Sequence, residues 1–352
     1  MKKMLLIGLA ALGILATGCS KDQAPDNGKG EASMRIAING ESSTRAVGTP
    51  SADLEKTVHS FTVYVFNNSS GVLEASETFT TGLEGTVSGL GVASQKKVVV
   101  FVNQPAGFPA ITNYSDFATA ATMIELSTQV PADFQTIGLF MSGETSSPVT
   151  LSTESTVSVP VTVRRLAAKV RLGTLTVNPA EGLLLSDFEL TGVSIQKARD
   201  KYDALGVNRT TGFGYVGGVQ TAGSGLTPVS YLNELYTLPG GYTAGTALTP
   251  QIYFYVLPND NTNGNATLMN IYGTYQGQDT YFPFVINGET GEGGSTTDGT
   301  YIQRNRIYTL NVTLTKIGTG GGDPNTPNEE VSMSVEVTVA DWEDELIQNV
   351  EW

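Results

Sequence analysis

Few residues in this chain have the type and the setting to do chemistry. Cys19 is the only cysteine, so no disulfide can form within the chain. It follows Leu15-Ala16-Thr17-Gly18, at the end of a basic start, Met1-Lys2-Lys3, and an apolar run from Leu5 to Ala16. That run is too short for an ordinary transmembrane helix and has the three-part form of an export signal. A cysteine just after small residues at the end of such a signal is the pattern of a lipobox. A signal peptidase cuts before the cysteine, and its thiol carries the acyl chains, palmitate among them, that hold the precursor on a membrane. The second candidate is a peptide bond. Arg45–Ala46 lies in Asn39-Gly40-Glu41-Ser42-Ser43-Thr44-Arg45-Ala46-Val47-Gly48, a stretch of small polar residues with one base. Such loops are readily nicked, and a protease with an acidic pocket selects arginine.

Conventional active-site chemistry has little to start from. His59 is the only histidine and sits at the head of an alternating run, Val58 to Asn67. No Ser–His–Asp set, metal-ligand cluster or phosphate-binding glycine loop is present. The 34 Asp and Glu residues are spread over loops without a distinct pair. Asp260-x-Thr262-x-Gly264 lacks the distal glutamate of a calcium loop and reads as a turn. No enzyme activity, cofactor or metal is expected. The net charge of −14 argues against binding a phosphate backbone.

The elements that must position Cys19 and Arg45 are strands. The chain has 352 residues, 40% of them hydrophobic, with 40 glycines among many Thr, Ser and Val residues. Val331-Ser332-Met333-Ser334-Val335-Glu336-Val337-Thr338-Val339 alternates strictly, the pattern of a half-buried strand. Before it, Gly318 to Pro327 reads as a linker that neither pairs nor packs. A strand on such a tether can dock on its own domain or on a neighbour. Near the other end, Ala32-Ser33-Met34-Arg35-Ile36-Ala37-Ile38 repeats the pattern, with Met34, Ile36 and Ile38 on one face. Between them, 58–67, 96–103, 137–142, 155–163, 188–196, 251–257, 267–275, 281–286 and 303–315 also read as strands, with turn-rich loops between. Residues 114–126 read as a helix capped by Ser115, with Phe117, Ala121 and Ile124 on one face. The basic run from Arg164 to Arg171 reads as solvated strand positions at a domain seam.

Taken together, the lipobox at Cys19, the strand before Arg45–Ala46, Arg165-Leu166-Ala167-Ala168-Lys169-Val170, the Ile302 to Val312 strand and the tail segment Val335-x-Val337-x-Val339-Ala340-Asp341-Trp342 resemble the Bacteroidales fimbrillins, the shaft subunits of type V pili. The resemblance spans the chain. It implies an all-β fold of two transthyretin-like β-sandwich domains, with a lipoprotein signal at 1–18 and a removable propeptide at 19–45. The domains are expected at 46–173 and 174–317, followed by a hinge at 318–330 and a donor strand at 331–352. It further implies an outer membrane lipoprotein precursor, an Arg-specific surface protease acting at Arg45–Ala46, and loss of the strand bearing Met34, Ile36 and Ile38. Another copy's Val331, Met333, Val335, Val337 and Val339 would then fill the groove, giving a head-to-tail surface fimbrium that supports adhesion. Anchor and tip subunits are the other partners implied. The alternatives are a fimbrial tip or anchor accessory subunit and a surface-anchored glycan-binding lipoprotein, the latter weakened because Trp342 and Trp352 lie in the tail rather than in a domain loop.

Overall fold

The structure is a computed structural model, and it describes residues 32–40, 52–130, 136–219, 226–261, 264–288, 301–319, 324–326 and 333–341. It is all-β. Strands β1 (Ala32–Gly40), β2 (Phe61–Asn67), β3 (Leu73–Phe79), β4 (Glu84–Leu90), β5 (Lys96–Val102), β6 (Met123–Glu125), β7 (Met141–Glu144) and β8 (Val157–Arg165) come first. Then follow β9 (Ala168–Val177), β10 (Phe188–Gln196), β11 (Ala198–Arg199), β12 (Lys201–Asp203), β13 (Tyr215–Gly217), β14 (Thr227–Pro228), β15 (Asn233–Leu235) and β16 (Ala247–Leu248). The series ends with β17 (Ile252–Val256), β18 (Leu268–Tyr275), β19 (Gln278–Val285), β20 (Arg306–Leu314) and β21 (Met333–Asp341). One short helix, α1 (Ala52–Glu55), precedes β2.

Seven strands of the first half form one path, β3-β2-β5-β7-β8-β1-β4, and its end strands β3 and β4 lie near each other. The sheet therefore rolls around a core built from alternate residues. Phe61, Val63, Val65, Val98, Val100 and Val102 point into it together with Met34, Ile36 and Ile38. The opposite face of β2 and β5, Tyr64, Phe66, Val99 and Phe101, is buried as well, in a second core shared with the later strands. Burial on both faces explains why these strands are almost continuously apolar. The second half packs the sheet β16-β9-β20-β21, with β17 beside β9, against β15-β10-β18-β19.

Three expectations are corrected. Residues 114–126 are not one helix: two 3₁₀ turns, Tyr114–Ala118 and Ala120–Thr122, lead into β6. Thr119 is extended between the turns, and β6 pairs with β12, so pairing with a distant strand outweighs local helical spacing. The cap is Asn113, not Ser115. Near residues 173–174, β9 runs on beside β20, paired from Lys169 to Val177, and the passage from one sheet to the other is Leu166–Ala167. The basic run is not wholly solvated, because Arg165 and Lys169 are buried. Nor is the linker without partners. Thr319 donates its N–H to the Tyr281 carbonyl at 2.9 Å, and Pro324 and Asn325 are buried. Gly318 begins it at φ +71°, where a Cβ would lie 2.6 Å from that same carbonyl.

Candidate assembly site: the first strand and the last

Strand β1 lies inside a sheet, between two neighbours. It runs antiparallel to β4, with Met34 opposite Val87 and Ile36 opposite Gly85, and parallel to β8, with Ile36 opposite Val159 and Ile38 opposite Val161. Its residues alternate between core and surface. Ala32, Met34, Ile36 and Ile38 are at most 4% exposed, whereas Ser33, Arg35 and Ala37 face outward and are half-buried. A segment that buries four side chains and pairs on both edges is a structural centre of the first domain. Taking it out would leave a trough walled by Val87 and Leu90 of β4 and by Val159, Val161 and Val163 of β8. These wall residues are the part of the site that sequence reasoning did not name. The alternation at 155–163 marked β8 as a strand, but nothing local says which strand lies beside it.

Two outward contacts hold β1 in its place. Ser33 Oγ and Thr156 Oγ1 hydrogen-bond at 2.7 Å. The Arg35 guanidinium donates to the Glu84 carboxylate on β4. Both partners of the ion pair are nearly half exposed, which keeps their attraction modest and salt-sensitive.

Past the segment that contains Arg45, the chain is secured again at Leu54 and Glu55. Leu54 packs against a small cluster of Leu139, Ala167, Tyr255 and Ile307. Glu55 is buried, and its Oε1 accepts from Lys169 Nζ at 2.6 Å and from the Tyr255 hydroxyl. Arg165 Nε donates to the Glu55 carbonyl at 3.2 Å, and Lys169 Nζ sits 4.5 Å from the centre of the Tyr253 ring. The residues just before β2 are thus fastened to β8, β9 and β17. The sequence marks Arg165 and Lys169 only as a basic run. Their acidic partner is over a hundred residues away, which local reading cannot supply.

The tail strand β21 forms the edge of its sheet, antiparallel to β20, from Leu314 opposite Met333 to Arg306 opposite Asp341. Of the two docking possibilities left open by its alternation, the chain adopts its own domain. Val335, Val337 and Val339 pair with Val312, Leu310 and Tyr308 in this ladder. Cys19, Arg45, Ala46 and Val331 lie outside the described residues. Among the described residues no group of three or more His, Cys, Asp or Glu side chains is placed to hold a metal ion. No described helix is long and apolar enough to cross a membrane.

Residues 32–183 match the family model of the major fimbrial subunit protein (FimA), and residues 216–347 match that of the fimbrillin-A associated anchor proteins Mfa1 and Mfa2. No curated protein sequence matches. Among solved structures, the chain is similar to one described as a cell adhesion protein from Bacteroides eggerthii. The TM-score is 0.65 at 24% identity, over 89% of this chain and 96% of that one. It is similar to a fimbrilin from Porphyromonas gingivalis, with a TM-score of 0.64 at 20% identity over 89% and 98%. The tip fimbrial protein Mfa3 of the same organism matches with a TM-score of 0.51 at 15% identity, over 88% and 100%. At these identities the likeness is one of fold, while the two family models describe structural proteins of fimbriae rather than enzymes.

Proposed function

This chain fits the fimbrillin family of fimbrial structural subunits, and from that premise we propose that it polymerises by replacing its own β1 with the tail strand of another copy. The observation that carries the reading is the position of β1, paired on both edges between β8 and β4 and buried on one face, yet joined to the rest of its domain through the segment containing Arg45. Cleavage at Arg45–Ala46 makes β1 a separate peptide. Its departure bares an apolar trough and two rows of unpaired backbone groups, which a new strand satisfies by β-augmentation. The tail has the matching alternation. Val331, Met333, Val335, Val337 and Val339 together contribute roughly 7–15 kcal/mol gross, at about 1.5–3 each, before the cost of ordering them. The tail's own place at a sheet edge, bonded on one side to β20, means that it gains a second ladder on transfer.

The export steps belong to the same proposal. The precursor is lipidated at Cys19, held at the outer membrane, and cut by an Arg-specific surface protease. The mature subunit then joins a surface fimbrium with anchor and tip subunits. Fastening at Glu55 supports a clean cut, because it isolates β2 from whatever happens to the chain ahead of it.

Two variants test the proposal in opposite directions. Arg45→Ala retains β1 and should yield precursor that accepts no donor. Deletion of 331–352 should yield secreted, cleaved monomers that accept a donor and supply none. SDS-resistant ladders decide between outcomes. Ladders from the deletion variant alone would place the donor elsewhere, and wild-type ladders from Arg45→Ala would remove Arg45 as the maturation site. Cys19→Ala should leave unprocessed precursor and no surface protein, read by cell fractionation.

A further inference from the structure

Resting on the strand-exchange reading, we infer that Glu84 is the specificity-determining residue of the groove, a carboxylate that pairs with the resident strand and opposes the incoming one. Aligned on their methionines, Ser33-Met34-Arg35-Ile36-Ala37-Ile38 and Ser332-Met333-Ser334-Val335-Glu336-Val337 superpose residue by residue. In that register Met333 takes the place of fully buried Met34, and Val335 and Val337 those of Ile36 and Ile38. Ser332 takes the place of Ser33, whose hydroxyl meets Thr156. The neighbouring registers fit less well. Sliding the tail two residues one way puts Glu329 at the buried position of Ala32. Sliding it the other way puts Met333 there and leaves a valine in the methionine pocket.

The outward face does not match in charge. Two of its positions change between the strands, Arg35 to Ser334 and Ala37 to Glu336, and both fall on Glu84. Arg35 is the ion-pair partner of Glu84, and Ala37 is the residue directly opposite Glu84 in the ladder between β1 and β4. The resident strand therefore brings Glu84 a cation. The tail removes that cation and sets Glu336 across from the same carboxylate, and like charges directly opposed in an antiparallel pair repel. After the cut, the nicked β1 remains the better charge match. Exchange is driven by the tail's longer apolar row, against a local electrostatic bias that delays it and penalises tails entering out of step.

The test uses four full-length chains: wild type, Glu84→Lys, Glu336→Lys and the double variant. Each is matured with an Arg-specific protease, and ladder growth is followed at low ionic strength and at about 0.5 M salt, where the screening length falls to roughly 4 Å. Each single substitution turns a repulsion into an attraction and should speed ladder growth about three- to tenfold at low salt. The double variant opposes two lysines, so its rate should fall at least about threefold below the product of the two single effects, and the differences should shrink in high salt. Glu84→Gln, which removes charge without adding any, should fall between wild type and Glu84→Lys. Because Glu336 faces Asn311 in the monomer, a change in tail release would appear equally in the single and the double variant, so the coupling between the two sites is the readout. A double variant whose rate is the product of the two single effects, or four chains that grow ladders alike, overturns the role of Glu84 and leaves strand exchange standing. No ladder from any matured chain overturns strand exchange, and this inference with it.

Discussion

Glu55 shows how much one side chain can organise. Its carboxylate is shared by Lys169 and Tyr255, and its own carbonyl is held by Arg165, so one buried residue joins α1 to three strands. Glu55→Ala leaves the Lys169 ammonium buried without its carboxylate and should cost about 3–5 kcal/mol in urea unfolding. Glu55→Leu combined with Lys169→Met should recover most of that loss, since apolar replacement of a buried ion pair is often neutral. Asp116 works differently, on the surface. Its Oδ2 accepts from the backbone N–H groups of Thr112 and Asn113 and from the Thr112 hydroxyl, and these bonds hold its carboxyl below the usual range. A pKa that is lower when folded means the native state favours the ionised form. The contribution is complete above the unfolded pKa and disappears as pH falls through the folded one. Asp116→Ala should therefore melt lower than wild type near neutral pH, and the gap should close in acid, as a series of thermal melts would record.

Among the elements, the tail strand has the sharpest register requirement, because a slip of one residue turns its apolar row to solvent. Val337→Asp should abolish ladders almost as completely as deleting the tail, since it places a carboxylate where the groove is dry. Ser334→Asp, on the other face, should weaken assembly only slightly, and more at low salt than at high. Gel ladders from the two variants side by side give the answer. The strands that the sequence made legible are those with long alternation: β1, β2, β5, β8, β20 and β21 all lie within or across runs that read as strands. Strands of two or three residues, such as β11, β13 and β16, leave no periodic trace, because so short a pairing is fixed by its partner rather than by its own pattern. The same cause hid β6 behind an apparent helix. Phe117 and Ile124 are buried as helical spacing required, but Phe117 reaches the core from a 3₁₀ turn and Ile124 from β6 itself. Of the assembly site, the two apolar rows were readable and the walls were not. Val87 and Leu90 belong to a run, Glu84 to Leu90, that is mostly exposed and rich in glycine.

For the whole molecule, the strand-exchange proposal gives each mature subunit one groove and one tail, so exchange would run head to tail without closing. A chain that keeps β1 has a tail but no groove. Arg45→Ala protein mixed with mature wild type should therefore act as a chain terminator. With one blocked subunit in ten, mean fibre length should fall to roughly ten subunits, because growth stops wherever a blocked chain is added. Fibre lengths in electron micrographs across a range of mixing ratios check this, and lengths that ignore the ratio would mean that growth does not proceed through the groove.

The short passage from β8 to β9 has a mechanical consequence. Only Leu166 and Ala167, both fully buried, separate the strand that borders the groove from the strand that pairs with β20. In a fibre built by strand exchange, tension entering a subunit along the donor crosses to β8, continues through this two-residue joint into β9, passes over to β20, and leaves along the chain that joins β20 to the subunit's own donated tail. The non-covalent transfers on that route, donor to β8 and β9 to β20, are between strands lying side by side, so a pull along the fibre loads those ladders in shear. Bonds loaded that way must fail together, whereas peeling would break them one at a time. On that proposal the fold suits a filament that resists a pull along its axis better than a sideways lever.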